Sequence, residues 1–362
     1  MLLAMIWIVA SLDSQAADDP KRLRSGPPPI RSSWDDLLEG VQTPADWEAR
    51  RQVLRRRFLE LIRDEQKPAR PPLEIQIHET AEVDGRYRRL YLSYHVEADE
   101  RAHAYLGIPL GLKGKAPAVV VLHGTTAQGT QQVAGLTTNT DKASLDHLCR
   151  RGYVVIAPEH FVSGERIPPE GPYETGRFHR KHPDWTSMGK FTFEHSIAID
   201  VLETLPEVDT RRIGAMGHSL GGHGTFFLAA YDPRIQASAG NCAAAFFRHN
   251  TKVEEWSRDR WYVYLKHIRP GLLKGELPPI DFHEIIALIA PRAFLDVSAL
   301  NDGDPLTQRQ RALMLLKVAD VYELVGQPEN FSFYIHGRKH SLELESRELI
   351  YAFLDRHLKA TP

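Results

Sequence analysis

Ile213-Gly214-Ala215-Met216-Gly217-His218-Ser219-Leu220-Gly221-Gly222, with Gly224 to Tyr231 behind it, decides how this chain folds. Ile213 to Met216 has the character of a buried strand, and Gly224 to Tyr231 that of a helix. Between them stands G-x-S-x-G, a turn so tight that its serine takes a strained backbone while the glycines two positions either side let the chain close. The Ser219 hydroxyl projects from such a turn. Free N–H groups and the positive dipole end at a helix N-terminus favour negative charge on a nearby oxygen. Ser219 is therefore the candidate nucleophile, and the Leu220 amide a candidate oxyanion donor. The pentapeptide alone is a weak signal, and the strand before it and helix behind it make it specific.

Upstream, Ala118 to Leu122 is a continuous apolar run closed by His123-Gly124, and Tyr153 to Ala157 is a second one closed by Pro158. Such runs suit strands covered on both faces. Helices expected over about 141–151 and 190–205 alternate with them, which predicts a parallel sheet with right-handed crossovers. Three earlier segments, about 74–80, 87–96 and 103–108, are separated by Asp84-Gly85 and a charged turn, and read as an antiparallel lead-in. A second oxyanion donor belongs on the loop after an earlier strand, where His123-Gly124-Thr125 stands, so the Thr125 amide is assigned to it.

Downstream, the acid and base are expected in the order Ser, Asp, His on loops at the carboxyl edge of the sheet. Phe294 to Ala299 is strand-like and leads to Asn301-Asp302-Gly303-Asp304-Pro305. Asp302 is nearer the strand and is the preferred acid, whereas Asp304 before Pro305 suits a helix cap. Phe331 to Ile335 is a further strand, and His336-Gly337-Arg338-Lys339-His340 then leads into a helix over 344–358. His340 is the expected base, and His336, at the strand end, the alternative. The predicted architecture is an α/β-hydrolase fold: a mostly parallel central sheet flanked by helices over 73–360, with an N-terminal helical extension and an insertion at 246–288 before the acid strand.

Composition excludes several classes. Of 362 residues, 42% are hydrophobic and 25% charged, with formal net charge −2, so nothing draws the chain as a whole to nucleic acid or an anionic membrane. Its two cysteines, Cys149 and Cys242, have no metal-ligand spacing and are either free thiols or one bridge. His179, His182 and His195 lack the acidic or cysteine partners of a recognised metal spacing, so no metal is expected. Leu2 to Ala10 is an apolar run of signal-peptide length, making 1–17 a cleavable export signal that lacks the usual preceding basic residue. Residues 18–72 hold a basic, proline-rich linker and then a helix in which Trp47, Leu54, Phe58, Leu61 and Ile62 recur at helical spacing opposite a solvated arginine face. No later stretch approaches a membrane span.

The stretch Val208-Asp209-Thr210-Arg211-Arg212-Ile213 running into the elbow, with Ala290-Pro291-Arg292 before the acid strand, resembles bacterial α/β-hydrolases of the dienelactone hydrolase and acetyl xylan esterase-like group. Trp185-Thr186-Ser187-Met188-Gly189-Lys190 and Asp281-Phe282-His283-Glu284 look like motifs of the same group, whose counterparts shape the site. The resemblance covers about residues 85 to 358. It implies hydrolysis of short-acyl esters, carbohydrate acetyl esters among them, without a cofactor. His123, Gly124, His218, Trp185 and Arg248 are expected to line the substrate site, and the aromatic insertion carrying Phe247, Trp256, Trp261, Tyr262 and Tyr264 is expected either to wall that site or simply to pack on the core. Glucuronoyl esterases place arginine after the nucleophile and lysine shortly beyond, where Leu220 and His223 stand here, which argues against a sugar-acid ester. A prolyl oligopeptidase-like peptidase or amidase and a catalytically silent binding protein are the alternatives. The stretch before the hydrolase core is too short for the former's propeller, and the intact Ser219, Asp302 and His340 disfavour the latter.

Overall fold

The computed structural model describes residues 31 and 33–359. The expected signal at 1–17 and most of the linker, 18–30, lie outside the described residues. Helix α1, Pro44–Ile62, starts at a capping box: Thr43 accepts from the Asp46 amide, Asp46 reaches back to the Thr43 amide, and Pro44 occupies the first turn. It buries Trp47, Leu54, Phe58, Leu61 and Ile62. Its arginine face is partly spoken for: Arg55 donates to the Ala230 carbonyl at 3.0 Å, and Arg50 to that of Asp36 at 2.8 Å.

Strands β1 (Gln76–Val83), β2 (Tyr87–Glu97) and β3 (Glu100–Pro109) form the antiparallel lead-in. Then come β4 (Ala116–Leu122), α2 (Ser144–Arg150), β5 (Val154–Pro158), α3 (Gly176–Lys181), α4 (Ser187–Glu203), β6 (Val208–His218) and α5 (Leu220–Tyr231). The chain finishes with β7 (Ile235–Asn241), α6 (Arg269–Leu273), α7 (Phe282–Ala287), β8 (Ala293–Ala299), α8 (Pro305–Leu324), β9 (Phe331–His336) and α9 (Leu344–Leu358). They build one nine-stranded sheet in the order β1-β2-β3-β5-β4-β6-β7-β8-β9, parallel from β5 to β9. Residues alternate between two cores: Val120 and Leu122 face the cluster with Phe58, Phe191 and Phe227, while Val119 and Val121 face the one with Leu148 and Leu354.

This order sets the site. From β4 the chain crosses to β5 on one side, and from β6 to β7 on the other, so the carboxyl ends of β4 and β6 flank a switch point, the place where open α/β sheets bind ligands. Strand β7 was not foreseen. Ile235-Gln236-Ala237-Ser238-Ala239-Gly240-Asn241 has little of the β-branched character of a strand, and its small side chains fit a layer pressed against α5, where a Cβ on Gly222 would stand 2.5 Å from Ala243 Cβ and 3.0 Å from the Asn241 carbonyl.

The insertion is a packed wall. Phe247 and Tyr262 are fully buried and Trp256 is 5% exposed, with Phe282 at 4.5 Å and His223 at 4.8 Å from the Trp256 ring. Trp261 alone among the named rings is exposed. Both resembling motifs turn out to be joints. Thr186 caps α4 and donates to the Ile62 carbonyl at 2.6 Å, and a Cβ on Gly189 would stand 2.3 Å from that same carbonyl, so the motif seats the end of α1. Asp281 caps α7 and accepts from the Phe247 amide at 2.8 Å, pinning the chain beyond β7.

Candidate active site

Ser219 follows β6 and stands at the N-terminus of α5 with φ 59° and ψ −121°, a strained positive-φ conformation that the tight turn demands. Glycine is obligatory around it: a Cβ on Gly221 would lie 2.0 Å from the Leu122 carbonyl oxygen, and one on Gly217 2.3 Å from Gly221. These contacts bring the end of β4 against the elbow. A Cβ placed on Gly124 would be 3.6 Å from Ser219 Cβ, so the backbone of the expected oxyanion loop passes directly beside the candidate nucleophile. Thr125 is exposed there, and Leu220 is buried at the first position of α5.

At the ends of β8 and β9, His340 Nδ1 donates to Asp302 Oδ2 at 2.7 Å. The side chains are 45% and 23% exposed, within reach of a substrate arriving from solvent. Burial alone would raise the Asp302 carboxyl, but the hydrogen bond and charge of His340, with Arg311 and His218 farther off, bring it below its ordinary value. Asp304 plays the other part: its Oδ2 caps α8, accepting from the Thr307 amide at 2.9 Å and the Thr307 hydroxyl at 3.0 Å. His336 is mostly buried at the end of β9, where its Nδ1 accepts from the Arg338 amide at 3.2 Å. Among the described residues no hydrogen bond closes Ser219 Oγ onto His340; such bonds are commonly long before substrate tightens them.

Asn241, at the end of the unforeseen β7, joins the two halves. Its carbonyl accepts from the Ser219 amide at 2.9 Å. Its side-chain amide donates to His218 Nδ1 at 2.7 Å and to the Ser341 carbonyl at 2.7 Å, holding the residue before the serine to the residue after the histidine. That bond leaves the His218 proton on Nε2. Burial, helped by the charge of His340 4.8 Å away ring to ring, pulls the His218 imidazole down to about 3 and keeps it neutral. Tyr173 does the same service for the loop after β4: its hydroxyl accepts from the Thr126 amide at 2.8 Å and donates toward the Thr126 and Gly124 carbonyls at 3.0 and 3.2 Å.

Three expected substrate contacts are corrected. The His123 ring is fully buried, with Nδ1 on the Gly124 carbonyl at 2.7 Å and Nε2 accepting from the His160 amide at 3.2 Å. It stacks on the His160 ring 3.6 Å away, and burial pulls it down to about 4, so it braces the loop from beneath. Trp185 packs against Phe178 and Phe193 beside the Lys190 ammonium. Arg248 pairs with Asp281 at 3.0 Å and with Asp36, tying the insertion to the N-terminal segment. His123 lies on the expected oxyanion loop, Trp185 in a motif and Arg248 in the aromatic insertion, but each side chain is buried against the protein's own elements. His218, also expected to meet substrate, is 5% exposed and acts through Asn241. Of the three histidines without a recognised metal spacing, His182 meets Glu97 at 3.0 Å, His179 meets the Ser187 hydroxyl at 3.4 Å, and His195 packs edge-on against Phe191 with both ring nitrogens buried and without a hydrogen bond among the described residues. Cys149 and Cys242 are both buried free thiols.

Residues 102–254, from β3 through the elbow into the insertion, match the dienelactone hydrolase family. Around that stretch, YtaP of Bacillus subtilis (strain 168), named only as a hydrolase, is 27% identical over 242 residues, covering 65% of this chain and 76% of the relative. The carbohydrate esterase MZ0003, from an unknown prokaryotic organism, is 26% identical over 205 residues, 48% of this chain and 45% of its own length. Among solved structures, the methylesterase BT1017 superposes with TM-score 0.67 at 21% identity over 91% of this chain and 69% of that one. A glucuronoyl esterase from Solibacter usitatus gives 0.69 at 18% over 92% and 97%. At those identities the superpositions establish the α/β-hydrolase fold, in agreement with the strand order above.

Proposed function

We propose that this protein is a serine-dependent carboxylic ester hydrolase working through an acyl-enzyme on short-acyl esters of small molecules or carbohydrates. The His340–Asp302 pair at 2.7 Å, standing at the strand ends beside a serine held at φ 59°, carries the proposal. Ser219 Oγ attacks the ester carbonyl as His340 Nε2 takes its proton. Asp302 holds the Nδ1–H tautomer and offsets the charge that develops on the ring. The Leu220 and Thr125 amides receive the oxyanion, each such donor being worth about 3 kcal/mol. His340 then returns the proton to the leaving alcohol, and water repeats the sequence to release the acid. Carbohydrate substrates are supported by the carbohydrate esterase among the relatives, and export by the apolar run at Leu2 to Ala10.

Hydrolysis of p-nitrophenyl esters from acetyl to octanoyl, beside peptide anilides, tests this. Short esters are expected to turn over, and Ser219→Ala to lower kcat by about 10⁴ or more with the fold unchanged. Anilide cleavage exceeding ester cleavage would replace the proposal with an amidase. Ester turnover that survives Ser219→Ala would remove the nucleophile.

A further inference from the structure

Beside the proposed triad stands a thiol that the reaction above does not use. Cys242 follows Asn241 directly, with φ 50° and its amide on the Val297 carbonyl at 2.7 Å. Its Sγ lies 3.6 Å from the Ser341 carbonyl and 3.9 Å from that of Lys339, the two residues flanking His340. One sulfur, one Asp302 oxygen and one His340 nitrogen all lie within 4.8 Å of one another. We propose that Cys242, Asp302 and His340 form a binding site for a soft divalent cation, Zn²⁺, and that its binding switches the esterase off.

The donors are the types zinc selects: thiolate, imidazole and carboxylate. Zinc holds such ligands at about 2.0–2.3 Å, so donors already gathered this closely need shifts on the order of 1 Å to close on it. Asp302 and His340 lie on loops outside helix and strand, between Ala299 and Pro305 and between His336 and Leu344, and can yield by that amount. Three protein ligands leave the fourth tetrahedral position to water. Arg311, whose charge reaches both Cys242 and Asp302, opposes the dication, so binding is expected to be weaker than at a four-ligand structural site.

The inhibition follows from proton positions. In the resting pair the His340 proton sits on Nδ1, facing Asp302. Zinc takes that nitrogen, so the ring's proton is carried on Nε2, the position that must be vacant to receive the Ser219 proton. The Cys242 sulfhydryl gives up its proton to solvent as the Zn–S bond forms. One proton leaves per ion bound, and no atom changes oxidation state.

The loss of activity rests on the esterase proposal above, whereas the binding does not, so the two are measured apart. The full chain is dialysed against Zn²⁺ and its metal content determined. It is also titrated with Co²⁺, whose thiolate ligation gives a charge-transfer band. One ion per chain, a thiolate band, about one proton released per ion, and ester hydrolysis that falls with occupancy and returns with chelator are expected. Cys242→Ser, with hydrolysis normalised to its own metal-free rate, is expected to bind Zn²⁺ at least tenfold more weakly and to lose the band. A Cys242→Ser variant that binds Zn²⁺ as tightly as the wild type, no retained metal in the wild type, or a Co²⁺ spectrum without a thiolate band would overturn the site. Full occupancy with undiminished hydrolysis would overturn the switch. A protein that cleaves no ester but binds Zn²⁺ through Cys242 would keep the site and discard the esterase.

Discussion

Two polar clusters sit on the carboxyl edge of the sheet, a few strands apart, and they are built on opposite lines. Around Lys190, whose side chain is 2% exposed, Glu194 lies at 2.7 Å and Glu100 at 3.0 Å, with Glu97 in contact as well. Arg166 adds a second buried cation, 2.6 Å from Glu194, and Lys181 closes on Glu97 at 2.8 Å. Charge meets charge at every turn, as burial requires. Around Ser219 the groups are half exposed, the serine hydroxyl is left without a partner among the described residues, and the rigid contacts lie one step back, in Asn241, Tyr173 and His123. A closed network anchors the β2–β3 turn to α4 and the loop after β5. An open one keeps a lone pair and a proton available while its supports do the holding.

That contrast can be broken by exchanging the expected effects. Asp302→Asn should lower kcat by about 10⁴ with little loss of stability, because it leaves His340 in the wrong tautomer. Lys190→Met should do the reverse, destabilising the fold by about 3–5 kcal/mol in denaturant titration while the folded fraction keeps its rate, since it strands buried carboxylates. A Lys190 variant that folds normally but has lost turnover would erase the distinction. Asn241→Ala sharpens it: freeing the loop that carries His340 should reduce kcat/KM by about 10², with ester KM little changed, because misplacement by about 1 Å has costs of this order. Smallest is Asp304→Ala, which removes the α8 cap and should cost about 1 kcal/mol in melting experiments with the rate nearly intact. A large rate loss there would make Asp304 the acid and displace Asp302.

How much was legible follows the same division. Ser219, His340 and Asp302 stand out as candidates because each lies where a strand gives way to a loop, and the elbow is complete within ten consecutive residues. The helix expected over about 344–358 is legible because it follows directly on a strand and a short loop, and it runs from Leu344 to Leu358. Asn241 was invisible for two reasons: its strand carries small residues that look like loop, and its partners lie 23 and 100 positions away. Tyr173 reaches its loop across 47 positions and carries no local pattern that announces it. His123 and Trp185 stand in motifs and Arg248 in the insertion, which marks a region of the fold, but position in the chain does not give side-chain direction. A sequence announces groups whose roles come from backbone shape, and hides those whose roles come from what folds against them.

The central claim, that Ser219 is the nucleophile made reactive by His340, is tested most directly by reacting the intact protein with a fluorophosphonate and locating the adduct by peptide mass spectrometry. One adduct per chain on Ser219, formed rapidly by the wild type and at a greatly reduced rate by His340→Gln, is the predicted result. An adduct on another side chain, or an unmodified Ser219 in a folded protein that hydrolyses esters, would contradict it.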